Sequence, residues 1–233
     1  LQGADRRQGG DLTMQTFRIL SALLSYPEPD LLAALPALRA AMDEEALLPH
    51  PAAVELGGFI DELARLDLLD AQERYVALFD RNRSLSLHIY EHVHGESRER
   101  GQAMVRLAEL YRLHGLHISA RELPDYLPLF LEFLSILPER AARSLLADAV
   151  HVMAALREKL ARRGSPYAAV LRAVETLAAR PAAAHMVAET VAALGADADT
   201  LAALDRQWED EAVRFVAAGG PDGAADAAAC GGA

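Results

Sequence analysis

Between His88 and Val105 the chain reads HIYEHVHGESRERGQAMV, eighteen residues holding three histidines, three glutamates and two arginines. Side chains of these types ligate metals, move protons, or fix a partner by charge and hydrogen bonding. His88-Ile89-Tyr90-Glu91-His92 matches the H-x-x-E-H string of inverted zinc peptidases. On a continuous helix the two histidines, four apart, share a face, as zinc ligation requires. A catalytic zinc also needs a third protein ligand and outer partners that orient the first ones. His94 points elsewhere on such a helix, and no acid downstream identifies itself as the missing ligand. Acid–base catalysis is a second reading, since histidine titrates near neutrality and carboxylates can orient it. The rest of the sequence supplies it no substrate site: there is no phosphate-cradling glycine loop and no G-x-S-x-G, and the single cysteine, Cys230, sits in a Gly/Ala tail. A third reading is structural. Histidine, glutamate and arginine at a helix junction cap ends and pair with one another, and a break at Gly95 followed by Arg98, Arg100 and Gln102 would fasten one helix to the next. From these residues alone the structural reading is favoured over the other two.

The elements that must position this cluster are helical. Ala, Leu, Glu and Arg, all strong helix formers, dominate the 233 residues. A helix is expected over 13–25, with Thr13 as a cap and Phe17, Leu20 and Leu24 on one face. The Tyr-Pro-Glu-Pro stretch (26–29) stops it. A second helix, with Asp30 as its cap, carries Leu31, Leu35, Leu38 and Met42 on one side and a kink at Pro36. After a break at 49–51 a third runs to about Leu66, and a fourth covers 68–80. Residues 81–87 read as a loop. Ser97 would cap a helix over 98–114, ended by Gly115. From Tyr126 to Leu137 nearly every residue is apolar, so this helix, with Asp125 as cap and Pro128 in its first turn, should be buried on most sides. Further helices are expected over 139–162, 165–180, 182–194 and, in part, 198–215. No alternating strand pattern occurs. The expectation is an all-α single globular domain of about nine to ten helices over 13–216. Residues 1–12 read as an extension or cloning remnant, and 217–233 as a disordered Gly/Ala tail.

Bulk properties narrow the function. A net charge of −11 argues against a nucleic-acid binder, which needs a basic face, and suits a basic partner segment. One cysteine permits no internal disulfide and fits a reducing compartment. No apolar run reaches the roughly 20 residues of a membrane span, and the first residues lack the apolar core of a secretory signal. A cytoplasmic protein that is not integral to a membrane is expected.

Three segments then carry a resemblance. YVALFD (75–80), LSLHIYEHVHGESRERGQAMV (85–105) and ELPDYLPLFLEFLS (122–135) resemble the signature segments of the nitrate reductase molybdenum cofactor assembly chaperones. These are the delta-subunit or NarJ type, relatives of the TorD/DmsD redox-enzyme maturation chaperones. TFRILSALLSYPEP (16–29) and WEDEAVRF (208–215) are similar to the family's N-terminal helix and C-terminal stretch. The resemblance implies a TorD-like, all-helical cytoplasmic chaperone and no enzyme. It implies binding of the N-terminal segment of the catalytic alpha subunit of a respiratory nitrate reductase. That segment is held for insertion of the molybdenum cofactor and iron–sulfur cluster, before the reductase docks at the membrane. The chaperone binds no cofactor stably; proteins of molybdenum cofactor biosynthesis are further expected partners. A maturation chaperone for another molybdoenzyme of this class is the alternative client assignment, and a zinc hydrolase the distant one.

A helical target laid in a helical groove needs apolar walls and polar groups that fix its orientation. The residues expected to supply them are Tyr75, Phe79, Asp80, His88, Tyr90, Glu91, His92, His94, Arg98, Arg100, Gln102, Glu122, Pro124, Asp125 and Tyr126. Leu127 and Phe130 read first as core. Tyr126 stands where the broader TorD-like group often carries histidine, so no role of that histidine transfers. Five of the eight histidines (His88, His92, His94, His114 and His117) fall in this block. Affinity for a basic peptide is therefore expected to weaken as pH falls from about 7.5 to about 6.

Overall fold

The computed structural model describes residues 14–94, 98–118 and 122–194. The expected extension at 1–12, the helix over 198–215, the tail at 217–233, the caps Thr13 and Ser97, and Gly95 all lie outside the described residues. Among the described residues there are ten α-helices: α1 (Gln15–Leu23), α2 (Pro29–Glu45), α3 (His50–Leu63), α4 (Leu68–Tyr75), α5 (Ile89–His94), α6 (Arg98–Leu113), α7 (Leu127–Ser135), α8 (Glu139–Arg162), α9 (Ala168–Leu177) and α10 (Ala184–Ala193). The expectation of an all-α fold holds.

Helix α7 is buried along most of its length. Its sequence LPLFLEFLS buries seven of nine residues, and Pro128 occupies the first turn, where a missing N–H costs nothing. Helix α1 lies against it, and Ser21 Oγ donates to the Pro128 carbonyl at 2.7 Å. The N-terminus of α1 is capped from a distance. Glu45, at the end of α2, accepts from the Gln15 N–H at 2.9 Å and the Thr16 N–H at 2.5 Å. Helices α2 and α3 pair, α3 and α8 flank α9, and α10 rests on α8 and α5. Helix α2 begins at Pro29, so Glu28 and not the expected Asp30 is at its N-cap, and it continues through Pro36. Glycine is required where α6 and α8 end, because Gly115 and Gly164 take φ of +78° and +64°.

The expected single helix over 68–80 has two registers. Asp67 caps α4 by accepting the Asp70 N–H at 2.9 Å, and after Tyr75 the chain widens into a π turn over Val76–Asp80. This turn closes with the Arg81 N–H on the Val76 carbonyl at 3.0 Å. Tyr75 and Phe79, with ring centroids 5.0 Å apart, both pack against Tyr167, which also meets Phe59 at 4.8 Å. This aromatic group joins α3, α4 and the approach to α9. The loop expected over 81–87 contains a 3₁₀ turn, Arg83–Leu85, closed by the buried Asn82 side chain accepting the Ser84 N–H at 3.0 Å.

Candidate functional site

Two chain segments far apart in sequence meet at the polar cluster. The Leu127 N–H donates to the Leu87 carbonyl at 2.8 Å and the Ile89 N–H to the Asp125 carbonyl at 3.0 Å, which makes an isolated antiparallel bridge between His88 and Tyr126. Asp125 lies beneath this bridge with no solvent exposure. A carboxylate so placed must be satisfied by donors. Its Oδ2 accepts the Tyr90 N–H at 3.1 Å, its Oδ1 is 3.1 Å from His88 Nδ1, and Arg100 Nη2 stands 3.9 Å away. Because the carboxylate can only accept, His88 carries a hydrogen on Nδ1. In the neutral ring Nε2 is then the acceptor.

This geometry corrects two expectations. Asp125 does not cap α7, whose N-cap is Tyr126 with no side-chain capping bond; the carboxylate turns instead to the start of α5. His88 and His92 do not share a helical face, because His88 belongs to the bridge that precedes α5. His92 Nε2 is 2.6 Å from the Ser86 carbonyl. The two histidines are thus committed to different partners. Among the described residues no group of three His, Cys, Asp or Glu side chains is placed to hold a metal ion.

Ser86 is one of two residues that sequence reasoning missed. Its Oγ accepts the His88 N–H at 3.3 Å and donates to Glu91 Oε2 at 2.6 Å, while its carbonyl meets His92. No spacing rule marks a serine as the hub of a loop that only tertiary contacts close. Tyr111 was missed too: from α6 its hydroxyl donates to the Pro124 carbonyl at 2.8 Å. Burial pushes the Tyr111 hydroxyl pKa up, so it remains a donor. Burial alone would raise Glu91, but the Ser86 hydrogen bond and the Arg100, Arg83 and His88 charges outweigh it and hold the carboxyl below its ordinary value. His92 is pushed below its ordinary value by burial, against the opposing pull of Ser86 and Glu91. Burial thus disfavours the charged form of His92 relative to an exposed histidine.

A second network stands beside the first. Tyr75 Oη is 3.0 Å from the Leu24 carbonyl and 3.1 Å from Tyr126 Oη. The carbonyl can only accept, so Tyr75 donates to it and Tyr126 donates to Tyr75. The rings of Tyr126 and His88 are 5.4 Å apart. Of the residues expected to line a site, Tyr75, Phe79 and Asp125 are buried, and His88, Tyr90, Glu91, His92, Arg100, Pro124 and Tyr126 are partly exposed. Asp80, Arg98, Gln102 and Glu122 are exposed. The side chain of His94 lies outside the described residues. Leu127 and Phe130 are core, as read.

The sequence model described as the nitrate reductase delta subunit matches residues 30–173. The chain belongs to the nitrate reductase delta subunit family. Among the family's curated members, the nitrate reductase molybdenum cofactor assembly chaperone NarJ of Escherichia coli strain K12 is 44% identical over 199 residues, 85% of this chain and 84% of NarJ. NarW of the same strain is 39% identical over 203 residues, 87% of this chain and 84% of NarW. Among solved structures, a protein of Archaeoglobus fulgidus described as a redox enzyme maturation protein aligns with a TM-score of 0.49 at 23% identity, covering 74% of this chain and 96% of that one. The delta subunit match contains the whole of the His88–Tyr126 junction. Among the described residues of this family member, no helix is long and apolar enough to cross a membrane.

Proposed function

We propose that this chain is a molybdenum cofactor assembly chaperone for a respiratory nitrate reductase and not a catalyst. The observation that carries the reading is the 44% identity to NarJ along 85% of the chain. In finer detail, the chain binds the N-terminal segment of the reductase alpha subunit in the cytoplasm. It holds that segment while the molybdenum cofactor and iron–sulfur cluster are inserted, with cofactor biosynthesis proteins as further partners, and it keeps no cofactor itself. The client then docks at the membrane.

The His88–Tyr126 junction suits the recognition step. A buried carboxylate holds two segments in fixed register, so the partly exposed groups above it are presented without an ordering cost at binding. Tyr75 and Phe79 support the surface from below, while His88, Tyr90, Glu91, Arg100 and Tyr126 face the client. The exposed Asp80, Arg98, Gln102 and Glu122, together with His94, form its rim. The test is titration calorimetry with a peptide of the alpha subunit's N-terminal segment against the wild-type chain and a variant carrying Glu91→Ala, His92→Ala and Asp125→Ala. The variant should bind more weakly, by ~1 kcal/mol or more per lost contact. Equal affinity in a folded variant removes the site from this junction. Tighter binding of the corresponding peptide from another molybdoenzyme reassigns the client.

A further inference from the structure

Helix α10 lies against α8 and α5 but buries little of its own surface. Of its ten residues only Thr190 is buried, and Val187, Val191 and the following Leu194 are partly covered. Its N-cap, Ala183, offers no side-chain acceptor to the first turn. A helix this short is marginal in water, so contacts with α8 and α5 must hold it. Beside those contacts the surface is concave. A space of about 590 Å³ opens along α10, with Ala154 and Arg157 of α8 on one wall and Val187 and Val191 on the other. A second space, of about 410 Å³, lies between the end of α10 and Glu91, His92 and Val93 of α5.

The C-terminal end carries the specific tether. Lys159 of α8 is only 3% exposed, and its Nζ donates to the Leu194 carbonyl at 3.3 Å. A cation at a helix C-terminus also meets the negative end of the helix dipole. This clasp sits beside the polar junction, because the space at the end of α10 is shared by Leu194 with Glu91 and His92.

We propose that α10 is a displaceable strap, clasped at its C-terminal end by Lys159, whose opening uncovers the Glu91–His92 side of the junction for the client segment. The proposal rests on the chaperone reading above. Closed and open forms then compete with the client. Measured affinity equals the intrinsic affinity multiplied by the open fraction, so stabilising the closed form weakens binding by up to the same factor.

The experiment uses the full chain, a synthetic peptide of the alpha subunit's N-terminal segment, and hydrogen exchange at residues 184–194. Adding peptide to the wild-type chain should speed exchange there. Ala183→Asp supplies the missing N-cap; it should slow that exchange about fivefold and weaken peptide binding by up to the same factor. Lys159→Met keeps the aliphatic stem but removes the clasp; it should speed exchange and tighten binding. If Lys159→Met does not fold, Ala183→Asp, outside the core, carries the test alone. Slower or unchanged exchange on peptide binding overturns the strap. So does an Ala183→Asp variant with slowed exchange and unaltered affinity, even though the chaperone reading then survives. A wild-type chain that binds no peptide overturns both.

Discussion

Helices α7 and α10 have nearly the same length, nine and ten residues, and opposite fates: seven buried side chains against one. The difference is one of area. The sequence of α10, AHMVAETVAA, is richer in alanine, the best helix former, but each alanine offers little surface to bury. The leucines and phenylalanines of α7 bring large apolar areas. Helix α7 begins directly after Tyr126, so its burial also fixes the Pro124–Tyr126 segment that carries Asp125. The candidate site is thus anchored on one side by the core, while α10, beside Glu91 and His92, buries little of its own surface.

Truncating the anchor should cost the most. Phe133 is fully buried and its ring lies 4.6 Å from that of Tyr111, so Phe133→Ala should lower unfolding free energy by about 3–5 kcal/mol in urea denaturation. A loss below ~1 kcal/mol would mean that α7 is no firmer than α10. Next comes the joint between the segments. Asp125→Asn places an amide where the Tyr90 N–H and His88 Nδ1–H both need an acceptor, and should cost about 2 kcal/mol by the same measurement. The equivalent truncation on the strap, Val191→Ala, should cost less than about 1 kcal/mol, because that side chain is only partly covered.

The smallest effect is a slope. Burial lowers the His92 pKa in the folded chain, so as pH falls below about 6.5 the unfolded chain takes up the proton first and stability is lost. His151, on α8, is lowered by burial and acts in the same sense. Glu91, also lowered, adds its own loss only when the pH falls below about 4.5. Urea denaturation at pH about 7.5 and about 5.5 should show a shallower decline in His92→Gln than in the wild type. Identical declines would place His92 in a more open environment than its contact with Ser86 implies.

Much of the helical order was legible because it depends on local periodicity and punctuation. The 139–162 helix appears at its expected bounds, and the buried segment at 126–137 appears as α7. The helices expected over 165–180 and 182–194 are present but shorter. The π register after Tyr75 left no mark in residue types, since Val76–Asp80 suits an α-helix equally well. At the site, the residue inventory was legible and the wiring was not. Asp125 stands before an apolar run as a cap would, yet its carboxylate serves Tyr90 and His88, thirty-five and thirty-seven positions away.

By itself the sequence determined the helices, the family and the concentration of ionisable groups between His88 and Tyr126, since each of these is written in neighbouring residues. Only the tertiary structure decided which carboxylate is buried, which hydroxyl donates to which, and that His88 and His92 face different partners. A side chain's partner depends on where the rest of the fold brings a second segment. Here the burial of α7 carries Asp125 under the His88–Tyr126 bridge, and the desolvated carboxylate then takes whichever donors that arrangement leaves within reach.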